Sequence, residues 1–208
     1  MSTTPPRRRG FGFATASKAL LLILALTSSA CGSPMKTPDI KQNPTPKQRY
    51  EITLKIDDAP GPFDAIRAFI NYRVTNEACV PLTPVTGVRI EPQETLPMTL
   101  TKVKDGVYQG TVYADQFMDE DYYGLGVCHW ELVAVGVKLT AGNQDFSPAI
   151  YVEEIKAGES IHRYFSSRAY REYKGGHLVD IGNAHREDFK TQAADTFSTT
   201  LTAERQTP

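Results

Sequence analysis

From Tyr50 onward, apolar and polar residues alternate with a period of two, and this alternation limits the fold more than any other feature of the chain. Ile52, Leu54 and Ile56 alternate with Glu51, Thr53 and Lys55; Ile66, Ala68, Ile70, Tyr72 and Val74 are interleaved with Arg67, Asn71 and Arg73. Val88 and Ile90 follow, then Leu96, Met98 and Leu100. Successive side chains of a strand point to opposite faces, so each run puts one face in a core and the other in water. Pro60-Gly61-Pro62, the prolines from Pro81 to Pro84, and Glu91-Pro92 break the runs apart. Several short strands at this spacing predict a sandwich or a barrel.

Asp105-Gly106 predicts a two-residue hairpin joining 96–103 to 107–114, because glycine takes a positive φ without steric cost. Residues 128–139 read as a long central strand, turned at Ala141-Gly142-Asn143 and returning over 149–155. Pro148 puts the start of that return at an edge or bend. About seven strands over residues 49–155, with Cys79 and Cys128, resemble an immunoglobulin-like antiparallel β-sandwich, an all-β fold. Gly126 stands where that family places a tyrosine before its second cysteine, and Trp130 follows that cysteine instead of lying on an earlier strand. Residues 156–208 read as a mixed extension. A short helix is expected over 159–173, with Ile161, Tyr164 and Phe165 on one face, ended by Gly175-Gly176. Residues 178–181 are expected to pack on the sandwich. Beyond Lys190 a loose tail is expected, with Phe197 and Leu201 its only points of attachment.

The first thirty residues have the layout of a secretory signal: Arg7-Arg8-Arg9, then the apolar run 19–27, then small residues. The run is shorter than the roughly 20 residues that span a bilayer. Leu26-Thr27-Ser28-Ser29-Ala30-Cys31 resembles a bacterial lipoprotein processing site, with Ser28 where the pattern prefers leucine. That resemblance implies acylation of Cys31. Gly32 after it, in place of aspartate, implies sorting to the periplasmic face of an outer membrane. Residues 31–48 then read as lipid attachment and a proline-rich tether, of which 33–47 reach roughly 45 Å at about 3.1 Å per residue. With Cys31 assigned to lipid, Cys79 and Cys128 are left either as one disulfide of an oxidising compartment or as two buried thiols.

The whole chain has 23 basic and 24 acidic residues. The leader holds four of the basic ones, Arg7, Arg8, Arg9 and Lys18, and no acid, so its removal takes the net charge from −1 to −5. A nucleic-acid partner needs a basic face and is not expected.

Residues 119–132, DEDYYGLGVCHWEL, concentrate the groups that look like chemistry. As a calcium loop the stretch fails where oxygen is needed: Tyr123 and Trp130 fall at ligand positions. An irregular site from Asp115, Asp119 and Asp121 stays open. No histidine pair or cysteine knuckle provides zinc spacing, and no metal or cofactor is expected. Cys128 and His129 point to opposite faces of a strand and cannot act as a nucleophile–base pair. Gly124-Leu125-Gly126 precedes a strand, where a dinucleotide fingerprint needs a helix. Cys128, Trp130 and Leu132 share a face and are expected in the core. Asp119, Glu120, Asp121, Tyr122, Tyr123 and His129 are the candidate binding residues, since tyrosine offers large contact area at low entropy cost. The alternative is that a tyrosine packs inward and the acids only solvate a turn. The expectation is a lipid-anchored binding module for an envelope protein or a cell-wall component, not an enzyme. An immunity or inhibitor lipoprotein, or an accessory lipoprotein of a secretion complex, is the alternative, with a hydrolase last.

Overall fold

The computed structural model describes residues 38–207. The leader, Cys31 and the first part of the proline-rich segment lie outside the described residues. Eleven strands form: β1 (Arg49–Asp57), β2 (Ala65–Val74), β3 (Gln93–Met98), β4 (Thr101–Lys104), β5 (Val107–Tyr113), β6 (Trp130–Ala141), β7 (Gln144–Phe146), β8 (Ala149–Tyr151), β9 (Ile161–Ser166), β10 (Leu178–Asp180) and β11 (Thr196–Arg205). One sheet has the order β4-β5-β1-β11-β9, and the other β10-β7-β6-β2-β3 with β8 also on β6. All pairings are antiparallel except β7 with β10.

The alternating residues fill the space between the sheets. Ile52 and Leu54 of β1, Tyr72 and Val74 of β2, and Leu132, Val135 and Leu139 of β6 are all buried. The Tyr72 hydroxyl donates to the Tyr113 carbonyl at 2.7 Å, tying the sheets together at one end. β6 is buried on both faces over Val135–Val137, as suits a strand in the middle of a sheet. Cys79 and Cys128 form a disulfide across 49 positions, which settles the choice left open by the cysteine count.

The strand order is that of an immunoglobulin-type sandwich with one substitution. β3-β2-β6-β7 takes the places of strands C′-C-F-G, and β4-β5-β1 those of D-E-B. β7 and β8 are one strand interrupted at Ser147-Pro148, as the proline implies. The position of strand A, antiparallel beside β1, is filled by β11 from the far end of the sequence.

Besides Val88 and Ile90, which form no core-facing strand and stand exposed, five expectations need correction. The tail is not loose: β11 pairs with β1 and β9, and Phe197, Thr199 and Leu201 are fully buried. Its sequence hid a strand because Thr199 and Ala203 share the inward face with Phe197 and Leu201, and Ser198, Thr200 and Thr202 stand between them, so no apolar alternation shows. Strands β9, β10 and β11 of this region are therefore part of the sandwich. Residues 159–173 are not one helix: Ile161, Arg163 and Phe165 alternate along β9, and only Ser167–Glu172 are helical (α2). The return strand stops at Tyr151, where α1 (Val152–Ala157) begins; the Glu154 carboxylate accepts the Tyr151 N–H at 3.0 Å. Residues 96–103 are not one strand either. The chain leaves one sheet after Met98 and enters the other at Thr101, and Gly110 makes this possible. A Cβ at Gly110 would lie 2.9 Å from the Thr99 carbonyl, so only glycine lets the crossover lie on β5. The hairpin at Gly106 (φ +70°) forms as expected between β4 and β5.

The fifth correction concerns the tether. Its second half is docked. Gln42 bridges to Phe117, Asn43 N–H donates to the Gln116 carbonyl and Met118 N–H to the Lys41 carbonyl. Asp115 accepts the N–H groups of Lys47 and Gln48, each at 2.9 Å.

Candidate functional site

The stretch 114–129 connects β5 to β6 and closes one end of the sandwich. In an antibody variable domain this end lies opposite the antigen-binding loops. The connection from β2 to β3, residues 75–92, closes the same end. The disulfide fastens the two, and so does Asn76, whose side chain donates to the Val127 carbonyl at 2.7 Å and accepts the His129 N–H at 2.7 Å. No local pattern in the sequence marks Asn76 or Lys41.

Each acid of the turn has an internal partner. Asp119 accepts the Trp130 N–H on Oδ1 at 2.9 Å and meets His129 Nδ1 with Oδ2 at 2.7 Å. Glu120 pairs with Lys41 at 2.8 Å, and its carbonyl accepts the Cys128 N–H. Asp121 Oδ1 accepts the N–H groups of Gly124 and Leu125, so it shapes the turn in place of a backbone acceptor. Both tyrosines lean on the core. The Tyr122 hydroxyl also donates to the Met118 carbonyl at 2.6 Å, and burial pushes the phenols of Tyr122 and Tyr123 above their ordinary pKa. The six candidate residues are thus brought together, but mainly as the scaffold of the loop. Cys128, Trp130 and Leu132 lie buried on one face of the chain, as expected. His129 stands exposed opposite them. Among the described residues no three metal-ligating side chains converge, and Asp115, Asp119 and Asp121 are spent on separate partners.

A different surface offers open groups. A cleft of about 590 Å³ runs along the sandwich edge where the chain crosses from β3 to β4. Its floor includes Ile70 and Leu96, and its rim carries Glu51, Gln109, Thr111 and Gln116. Gln109 Nε2 donates to Glu51 Oε1 at 3.0 Å, which orients the amide. Glu51, Gln109 and Thr111 are outward members of their strands, and Gln116 lies in the connection after β5. From sequence they are indistinguishable from any solvated face, since the cleft exists only because β3 and β4 belong to different sheets. Comparison with family models, with curated proteins and with solved structures gives no match.

Proposed function

We propose that the protein is a lipid-anchored envelope protein, held at the periplasmic face of an outer membrane through Cys31, whose sandwich is a binding module for a cell-wall glycan. The observation that carries this reading is the β3–β4 edge cleft. Amide, carboxylate and hydroxyl groups line an apolar floor there, a combination that matches the hydroxyl-rich edges and apolar faces of sugar rings. A second reading is favoured by β4 itself. It is an edge strand with all four residues exposed, and a partner protein could pair with it by strand addition.

Photo-cross-linking in living cells separates these. A benzophenone side chain at Thr111 is expected to give adducts that a muramidase collapses. Adducts that resist muramidase and yield to protease would favour the strand-addition reading. Adducts from Tyr123 but none from Thr111 would overturn the cleft and return the site to the acidic turn.

A further inference from the structure

More than half of the large apolar side chains left exposed in the described structure stand at one end of the sandwich. Residues 81–91 form a small projecting loop closed by a bridge between Leu82 and Arg89. It exposes Leu82, Val85, Val88 and Ile90, with Val85 at 95% of its full surface. The neighbouring 118–128 turn exposes Leu125 and Val127. The disulfide and Asn76 hold the two loops together, so their apolar tips are presented by one rigid base. Scattered exposed apolar residues are ordinary, but a concentration of them on two fastened loops marks a contact surface.

The chain leaves the described domain at this same end. Met118 N–H donates to the Lys41 carbonyl and Lys41 is paired to Glu120, so the segment leading back to Cys31 starts beside the apolar tips. Pro38 lies seven positions after Cys31, and a chain of that length covers at most about 25 Å. An acyl anchor on Cys31 therefore keeps this end close to the bilayer. The rim also carries exposed Lys47, Arg49 and Arg205, which suit phosphate headgroups. The three acids of the turn are turned to internal partners.

We infer that the tips of loops 81–91 and 118–128 dip into the headgroup region of the membrane to which the chain is anchored, so that the sandwich stands on this end and presents its β3–β4 edge sideways. The inference rests on the lipid-anchor reading.

The test uses the full mature chain, purified with its native N-terminus, at one copy per nanodisc of phosphatidylethanolamine and phosphatidylglycerol. Intact-mass measurement reads the modification of Cys31, and amide hydrogen exchange reads the loops. The reference is the Cys31→Ser chain free in solution. Exchange over 81–91 and 122–127 is expected to slow at least about five-fold on the nanodisc, while the 104–107 hairpin and the 157–160 turn stay unchanged. The double substitution Val85→Asp with Ile90→Asp, at exposed sites, is expected to abolish that protection without lowering Tm. Acylated Cys31 with loops that exchange at the solution rate, or protection of the 104–107 end, overturns the docking alone. A Cys31 that carries no acyl group overturns the anchor and the docking with it. Because each disc holds one copy, protection cannot come from a second chain.

Discussion

Asp119 shows how a residue that looks functional can be structural. Its two oxygens are used on Trp130 and His129, at the point where the β5–β6 connection turns into a central strand. Asp119→Ala leaves the half-buried Trp130 N–H without an acceptor, and the expected loss is about 1–3 kcal/mol in thermal or urea unfolding. Cross-linking from Thr111 is expected to survive that change. Asp145 on β7 is a second such residue, 2% exposed and bonded to Thr140, Lys138 and His177. Burial works against its charge, but the bonds from Thr140 and Lys138 and the charges of Lys138 and His177 outweigh it and hold its carboxyl below the usual range. A carboxyl depressed in the folded state adds stability above its unfolded pKa of about 3.9, and that stability is lost as pH falls through the folded value. Unfolding free energy is therefore expected to drop as pH is lowered below about 4. The drop should be shallower in Asp145→Asn, as measured by urea titration at stepped pH.

At the scale of elements, β11 decides the fold of its sheet. It lies between β1 and β9 and buries Phe197 within an aromatic cluster of Phe63, Phe146, Phe165 and Tyr170. Phe197→Ala is expected to cost about 3–5 kcal/mol. A chain stopped after Asp195 is expected to lose the cooperative unfolding transition altogether, because it exposes the inner edge of β1. Legibility in the sequence followed residue chemistry. Strands with Ile, Leu and Val at every second position, β1, β2 and β6, were readable, and so was the Asp-Gly hairpin. Phe197 and Leu201 were readable as attachment points, but their strand was not, since Ser198, Thr200 and Thr202 read as solvated coil without the partners that β1 and β9 provide. The same holds for β9, where Ile161, Tyr164 and Phe165 fit a helical spacing and Arg163 interrupts the apolar strand face of Ile161 and Phe165, so only pairing with β11 decides. In the candidate site, the proximity of the acids to Cys128 and Trp130 was visible, but their partners were not. Lys41 and Asn76 come from 79 and 53 positions away, and no local pattern reports such contacts.

For the whole molecule, the disulfide is a brace between the two loops that close one end, set outside the strands and away from the middle of the core. Closing a loop of 49 positions contributes about 4 kcal/mol in the chain-entropy account. Reduction, or Cys79→Ser with Cys128→Ser, is expected to lower Tm while the strand core persists. Amide exchange should show it first as faster opening of 75–92 and 114–129. The brace also separates the two ends in kind: one end carries the chain entry and the apolar tips, and the other carries tight turns at Gly106 and Gly142.

That β11 pairs with β1 has a consequence for how such a chain is made. Leu54 faces Leu201 across the sheet, so the earliest strand has no lasting neighbour on that side until nearly everything after it has been synthesised. Contacts of such long range form late. Until β11 is made, a nascent chain leaves that edge of β1 unpaired and open to chaperones. A prematurely ended product would never close its sheet, and would be left for proteases instead of accumulating as a partial fold.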